Sequence, residues 1–201
     1  MRTLIFFITI AMSCMGQSSE KPVGGPCDRC DTMFEGMPSD LKWETTMATN
    51  QEPGERLIIS GILFKKDGKT PAPGVVFYVY QTDNTGHYSA SPDQVNGKLH
   101  GHLRGWMKSG ADGRYRFSTI RPAAYPNRSA PQHIHALVKE SGLSLYWVDE
   151  YLFDDDPLLT STVRDKLAQR GGSGVIHLTK NAYGEWIGQR DIVLGLNISN
   201  Y

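Results

Sequence analysis

The chain has 201 residues and a formal net charge of zero, with 21 Lys and Arg residues balanced by 21 Asp and Glu residues. This balance provides no basic surface for nucleic acid or for an anionic membrane, so neither is expected as a partner. The length suits one domain with a sizeable hydrophobic core.

The first 16 residues are predicted to be an export signal that takes no part in the fold. One basic residue precedes an apolar run from Leu4 to Met12, which is too short to span a bilayer as a helix of about 20 residues. Cleavage before Cys14 would leave a lipid-modified cysteine, and Ser13 is a suitable small residue before it. Cleavage after Gly16 would release an unanchored protein, and a buried N-terminal helix is the third alternative. We therefore expect an exported protein, periplasmic or anchored as a lipoprotein, that contacts a membrane only through a lipid on Cys14.

Residues 17–55 are predicted to form an N-terminal arm that carries Cys27 and Cys30 in the motif CDRC. A four-ligand zinc site would need a second pair of ligands, and a thioredoxin-like role would need the motif at the start of a helix. The sequence indicates neither, so a local disulfide is favoured in an exported protein. We expect this disulfide to fix the arm and to do no chemistry.

Residues 56–201 are predicted to form an all-β sandwich with one long active-site loop and at most one short helix. The segments RLIISGILFKK, VVFYVYQTD, QHIHALVKE and YWVDEYLF have the composition of strands. The segment RGWMKSGADGRYRFSTI is predicted to be a hairpin, and GVIHLTKN is predicted to pair with EWIGQRDIVLGLN in a second hairpin. The segment TSTVRDKLAQRGG is the helix candidate, because it has an N-cap residue, periodic apolar residues and terminal glycines.

The segment from Asn84 to Leu103 is predicted to be a long irregular loop. Such loops are uncommon inside a compact domain and are usually functional. This one carries Tyr88, His100 and His102. We interpret the two histidines as polar loop residues, with contact to a substrate as the alternative.

His133 and His135 lie two residues apart in a predicted strand, so both side chains leave the same face. Ile134 and Ala136 then point into the core. A His-x-His pair alone suits zinc, copper or iron, and a structural role for such histidines is the alternative. No carboxylate in this stretch completes a metal site, although Asp93 or Glu150 could approach in the fold.

Two tyrosines are placed to complete the site: Tyr125, just upstream of the histidines, and Tyr88 in the long loop. A phenol has a pKa near 10, so it ionises as a ligand only beside a strong Lewis acid. Fe(III) is hard and trivalent, and anionic oxygen suits it better than it suits zinc or Cu(I). The alternative is that these are two of nine tyrosines that pack within the sandwich.

The sequence resembles the intradiol ring-cleavage dioxygenases, which include protocatechuate 3,4-dioxygenase and the catechol 1,2-dioxygenases. Four blocks carry the resemblance in order: FYVYQTDNTGHY, LRGWMKSGADGRYRFSTIRPAAYP, PQHIH and EYLFDDDPLL. The resemblance implies a β-sandwich and a non-haem Fe(III) held by Tyr88, Tyr125, His133 and His135. It also implies cleavage of a catechol by O2 between its two hydroxylated carbons, which gives a muconate-type dicarboxylate.

The resemblance further implies that Tyr125 is the ligand displaced by the catechol, while Tyr88 stays in place. The family's active-site arginine lies three residues before the first histidine, where this chain has Ala130. Arg128, five residues before that histidine, is the catalytic candidate for stabilising negative charge on the ring. Arg104 is expected to brace the long loop.

Two other functions compete with this interpretation. An exported, non-enzymatic β-sandwich binding module of the transthyretin or carboxypeptidase-regulatory type would explain the strand pattern but not the four aligned donor residues. A zinc or copper protein would use the histidine pair alone. The sequence does not indicate which catechol is the substrate. It also does not indicate the oligomeric state, for which a homo-oligomer is one alternative.

Overall fold

The computed structural model describes residues 20–201, so the predicted export signal lies outside the described residues. The strands are β1 Glu44–Thr46, β2 Arg56–Phe64, β3 Val76–Gln81, β4 Arg104–Lys108, β5 Arg114–Ile120, β6 His133–Lys139, β7 Tyr146–Phe153, β8 Val175–Ile176, β9 Thr179–Lys180, β10 Trp186–Gln189 and β11 Ile192–Val193. One α-helix, α1 (Ser161–Arg164), and two 3-10 helices (Cys30–Phe34 and Lys98–His100) complete the regular structure of this range.

The strands form two sheets that face each other, which confirms the predicted β-sandwich. The first sheet has the order β1-β5-β2-β10-β9, with β11 beside the far end of β2, and the second has the order β4-β3-β6-β7-β8. Strand β2 alternates strictly between buried and half-buried residues, because one of its faces lies on the core. Strand β3 is buried at most positions, since both of its faces are covered.

The core lies between the two sheets and is built from large apolar side chains. Phe77 from the second sheet packs against Tyr115 from the first, with ring centroids 4.8 Å apart. On β6, Ile134 and Ala136 point into this core, as predicted. His133 and His135 alternate with these two residues along β6 and therefore face outward. This outer face carries the candidate site.

The N-terminal arm covers part of that outer face. Met33 is fully buried against Tyr78 and Leu137, and the indole nitrogen of Trp106 donates a hydrogen bond of 2.7 Å to the Met33 carbonyl. Cys27 and Cys30 form the predicted disulfide in the same region. Further along the arm, β1 pairs in parallel with β5, so the arm also contributes a strand to the first sheet.

The predicted hairpin of β4 and β5 is wrong. The two strands are consecutive, but β4 pairs with β3 and β5 pairs with β2, so the turn between them crosses from one sheet to the other. The turn is held at the end of β2, where the Leu63 amide donates to the carbonyl of Gly113 at 2.8 Å. A glycine-containing turn looks the same in sequence whether it closes a hairpin or joins two sheets.

The end of the chain agrees with the prediction only in part. Strands β9 and β10 form an antiparallel pair, but β8 pairs in parallel with β7 on the opposite sheet. The helix is a single turn that begins after Thr160, whose hydroxyl accepts a hydrogen bond from the Val163 amide. Among residues 20–201, no helix has the length and apolar character needed to cross a membrane.

Candidate active site

Four donor atoms from three chain segments meet on the outer face of the second sheet. The phenol oxygens of Tyr88 and Tyr125 are 2.9 Å apart. His135 Nε2 lies 2.9 Å from the Tyr88 oxygen, and His133 Nε2 lies 3.1 Å from the Tyr125 oxygen. The structure therefore brings together the four residues predicted as metal ligands.

The second nitrogen of each imidazole has its own partner, which determines the direction of the first. His133 Nδ1 lies 2.7 Å from the carbonyl oxygen of Pro131, to which it donates. His135 Nδ1 faces the carboxylate of Glu150 at 3.5 Å. In His133 the proton is thus held at Nδ1, and the lone pair of Nε2 is directed into the cluster of donors. In His135 the contact with Glu150 lies on the Nδ1 side of the ring, and Nε2 faces the same cluster.

The loop that carries Tyr88 is organised by the buried carboxylate of Asp83. It accepts hydrogen bonds from the Thr85 amide at 2.8 Å and from the Ser89 hydroxyl at 2.5 Å. Burial alone would raise the pKa of Asp83, but these hydrogen bonds outweigh burial and lower it to about 2. The loop is therefore braced by an ionised side chain on both sides of Tyr88.

Gly86 allows the two tyrosine-bearing loops to approach each other. Its φ is +84°, and a Cβ at this position would lie 2.2 Å from the carbonyl oxygen of Ala124, next to Tyr125. Any larger residue would push the loops apart. Gly86 stands two residues before Tyr88, at the end of the block FYVYQTDNTGHY, so the close approach of the loops explains a glycine at this position.

Tyr80 is a site residue that the sequence did not indicate. It lies directly opposite His135 in the β3–β6 pair and stacks on its ring, with centroids 4.5 Å apart. The ring of His100 stacks on the ring of Tyr80, with centroids 3.7 Å apart. The Nδ1 atom of His100 lies 2.9 Å from the Tyr78 hydroxyl. Burial, followed by the nearby His135, lowers the pKa of His100 to about 4, so it stays neutral at neutral pH. His100 thus supports the site through Tyr80.

The other predicted residues of the long loop have structural contacts. His102 bridges the Ser89 carbonyl and the Glu52 carboxylate, at 2.6 and 2.9 Å. Arg104 donates to the carbonyl oxygens of Glu35 and Asn96, which confirms its predicted bracing role. Each of the two side chains therefore makes one contact with the long loop and one with the N-terminal arm.

The phenol of Tyr88 does not ionise by itself in this environment. Burial, and then the hydrogen bond with Tyr125, raise the pKa of Tyr88 far above its ordinary value. Burial and the neighbouring His135 lower the pKa of His133, which favours the neutral imidazole that a metal requires. Tyr88 therefore stays a neutral phenol, beside a neutral His133, unless a cation draws the proton from the phenol.

The donor set fits a hard trivalent cation. Within residues 20–201, no group of three His, Cys, Asp or Glu side chains is arranged to hold a metal ion. A metal at this site must therefore take tyrosine oxygen together with imidazole nitrogen, and Fe(III) is the biological cation that this combination suits. Glu150 stands behind His135 and does not join the donors.

Arg128 lies on an exposed turn after Tyr125. Its φ is +54°, and its amide donates to the Tyr125 carbonyl at 2.7 Å. Among the described residues, its guanidinium makes no hydrogen bond or ion pair, so no contact in the structure positions it toward the donors. Its catalytic role stays a prediction.

A family comparison agrees with this geometry. The dioxygenase family model Dioxygenase_C matches residues 33–171, a range that contains all four donor residues. The chain belongs to the intradiol ring-cleavage dioxygenase family.

This chain is similar to several dioxygenases. The protocatechuate 3,4-dioxygenase beta chain of Burkholderia cepacia is 31% identical over 150 residues, which cover 66% of this chain and 63% of that protein. The 6-chlorohydroxyquinol 1,2-dioxygenase of Cupriavidus pinatubonensis is 27% identical, with 90% of this chain and 66% of that protein covered. The alignments thus span less than two thirds of the length of these relatives.

Solved structures of dioxygenases support the fold. The dioxygenase domain of a carbohydrate-binding fusion protein from Streptomyces sp. SirexAA-E matches with a TM-score of 0.61 at 25% identity, and covers 79% of this chain and 91% of that one. The 3-chlorocatechol 1,2-dioxygenase of Rhodococcus opacus 1CP matches with a TM-score of 0.58 at 20% identity, with 78% and 67% covered. The sandwich is therefore the fold of this dioxygenase family.

Proposed function

We propose that this protein is a non-haem Fe(III) enzyme that cleaves a catechol-type ring between its two hydroxylated carbons, with both atoms of O2 entering a muconate-type dicarboxylate. The observation that carries the proposal is the convergence of two phenol oxygens and two imidazole nitrogens within 3.1 Å of their neighbours. Family membership supports the reaction class.

Tyr88, Tyr125, His133 and His135 would hold the iron. When bound, the ferric ion supplies a Lewis acid and a template for the two substrate oxygens. His133 and His135 keep their Nε2 lone pairs directed into the site, because Pro131 and Glu150 hold the opposite nitrogens. Tyr80 and His100 stack behind His135 and restrict the rotation of its ring.

A catechol must lose two protons to bind through both oxygens. As a phenolate, Tyr125 would accept one of them and become a neutral phenol, and its oxygen lies within hydrogen-bond distance of Tyr88 and His133. Arg128, on the exposed turn that follows, is the candidate for offsetting negative charge on the ring.

The test uses the purified protein reconstituted with iron. We expect one iron per chain, a reddish-brown colour from phenolate-to-iron charge transfer, and O2 uptake with catechol that yields a ring-opened dicarboxylate by mass spectrometry. The His133→Ala/His135→Ala double variant is the control and should lose both the colour and the O2 uptake. Stoichiometric zinc, or a ring-opened product with an aldehyde group, would contradict the proposal.

A non-enzymatic sandwich that binds a sugar or peptide has no need for four converging metal donors, and nothing in the site favours it.

We also propose that the protein is exported and carries a lipid on Cys14. Labelling of growing cells with radioactive palmitate should mark the protein, and the Cys14→Ala variant should not be marked. An unlabelled wild-type protein in the soluble fraction would contradict the lipid.

A further inference from the structure

Strand β7 contains a β-bulge directly opposite His135. The residue pairs on either side of the bulge are in different registers: Ala136 with Val148, and Ile134 with Tyr151. His135 therefore faces two residues of β7, Asp149 and Glu150, instead of one. Bulges are frequent next to active sites, where they redirect a side chain.

The bulge places Glu150 on the same face of the sheet as His135. In a regular strand, Glu150 would share the core-facing side of Val148, because residues two apart point to the same face. The extra residue of the bulge instead leaves Val148 and Tyr151 in the core and turns Glu150 outward. Its carboxylate there lies 3.5 Å from His135 Nδ1.

Neighbouring segments hold the bulge in place. The buried carboxylate of Asp149 accepts hydrogen bonds from the amides of Gln169 at 2.8 Å and Arg170 at 3.2 Å. The backbone carbonyl of Glu150 packs so closely on Gly174 that a Cβ there would lie 2.1 Å from its oxygen. The fold itself therefore sets the position of Glu150.

The negative charge of Glu150 is directed at His135. Among residues 20–201, His135 is the only Lys, Arg or His side chain within 4.0 Å of the Glu150 carboxylate. The Glu150 side chain is 38% exposed and lines a cavity of about 180 Å³, to which no Lys or Arg of this range contributes. His133 Nδ1 faces the neutral carbonyl of Pro131 instead. A carboxylate thus stands behind one imidazole of the donor cluster and not behind the other.

We propose that Glu150 is a positioning residue whose charge, acting through His135, stabilises the ferric state of the bound iron over the ferrous state. The inference rests on the proposed function, which supplies the iron. A carboxylate behind a metal-bound imidazole makes that imidazole a stronger electron donor. A fixed negative charge also favours the more highly charged of two oxidation states. The ferric state is the stronger Lewis acid for the two substrate oxygens.

The experiment measures the Fe(III)/Fe(II) reduction potential of the iron-loaded protein, by anaerobic titration with a reductant followed at the phenolate-to-iron band. Glu150→Gln keeps the size of the side chain and an oxygen that can face His135, but it removes the charge. We expect the equilibrium to shift about tenfold toward Fe(II), which is about 59 mV for a one-electron couple. The visible band should move to longer wavelength, because the iron receives less electron density from its ligands.

Two further variants separate the charge of Glu150 from its shape. Glu150→Asp keeps the charge on a shorter side chain and should shift the potential less than Glu150→Gln does. Glu44→Gln removes the charge of an exposed residue on the first sheet, 3.4 Å from Arg116, and should leave the potential and the band unchanged. A merely structural role of Glu150 would change the amount of iron bound, without a shift of potential that follows the charge.

Failure of this inference and failure of the proposed function give different results. If the wild type cleaves catechol but Glu150→Gln has the wild-type potential, or Glu150→Asp shifts it as far as Glu150→Gln, the inference is overturned and the proposed function stands. If the iron-loaded wild type shows no phenolate-to-iron band and cleaves no catechol, the proposed function fails and the inference fails as well.

Discussion

Tyr88 and Tyr125 are held in different ways although both direct a phenol into the site. The backbone of Tyr88 is braced on both sides, by the Asp83 network before it and by the bond from the His102 amide to the Ser89 carbonyl after it. Tyr125 is followed by four exposed residues, 126–129. We therefore expect Tyr125 to be the phenol that a substrate displaces.

The two tyrosines should respond differently to removal of the hydroxyl. Tyr125→Phe should still bind iron through the other three donors but should bind and ionise catechol poorly. Tyr88→Phe should change the visible spectrum both before and after catechol is added. The measurement is the spectrum of each variant with and without catechol under nitrogen, and Tyr183→Phe, at a residue 90% exposed, is the control. Wild-type rates of catechol binding in Tyr125→Phe would show that Tyr125 does not exchange.

The two ligand-bearing loops act as one element because their backbones touch at Gly86. The contact with the Ala124 carbonyl is possible only without a Cβ. The site thus depends on the separation of the loops as well as on the side chains they carry.

Gly86→Ala and Gly184→Ala form a matched pair. Both glycines have positive φ, +84° and +79°, so both substitutions carry a left-handed strain of about 1 kcal/mol. Only Gly86→Ala also clashes, because nothing lies within 4 Å of a Cβ at Gly184. We expect Gly86→Ala to weaken iron binding at least about tenfold, and Gly184→Ala to leave it unchanged, as measured by iron titration of the visible band. Equal iron affinity in the two variants would contradict the importance of the loop contact.

At the scale of the whole molecule, the site joins parts of the fold that are far apart in sequence. The donors come from the β3–β4 loop, the β5–β6 loop and β6, and only the folded sandwich holds them together. A ligand that binds the folded state and not the unfolded chain stabilises the fold by mass action.

Removal of iron should therefore lower the melting temperature. At an iron concentration 100 times the dissociation constant, the stabilisation is about 2.7 kcal/mol, which corresponds to about 5–10 °C for a chain of this size. The measurement is thermal unfolding of the protein with and without bound iron. The His133→Ala/His135→Ala double variant should show no difference between the two conditions, and a wild type that melts at one temperature in both would exclude iron as part of the folded structure.

The sequence by itself determined the sandwich and most of its strands, and it predicted the four side chains that the structure brings together. Strand alternation depends only on which residues face the core, and the two histidines of β6 share a face because of the two-residue repeat of a strand. The tyrosines were identified by their order relative to that pair and by the family resemblance. These properties are local or follow the order of the chain, so they survive without knowledge of the fold.

The tertiary structure alone decided which strands pair and what surrounds the donors. The turn after β4 crosses between sheets because β4 pairs with β3 and β5 pairs with β2, and these two partners lie on opposite sides of the core. Tyr80 belongs to the site because β3 lies beside β6, and Glu150 belongs to it because β7 lies on the other side. The cavity between the disulfide loop and strands β6 and β7 exists only because the N-terminal arm folds back over the outer face of the second sheet. Contacts between segments distant in sequence depend on how the whole chain packs, and no local pattern encodes them.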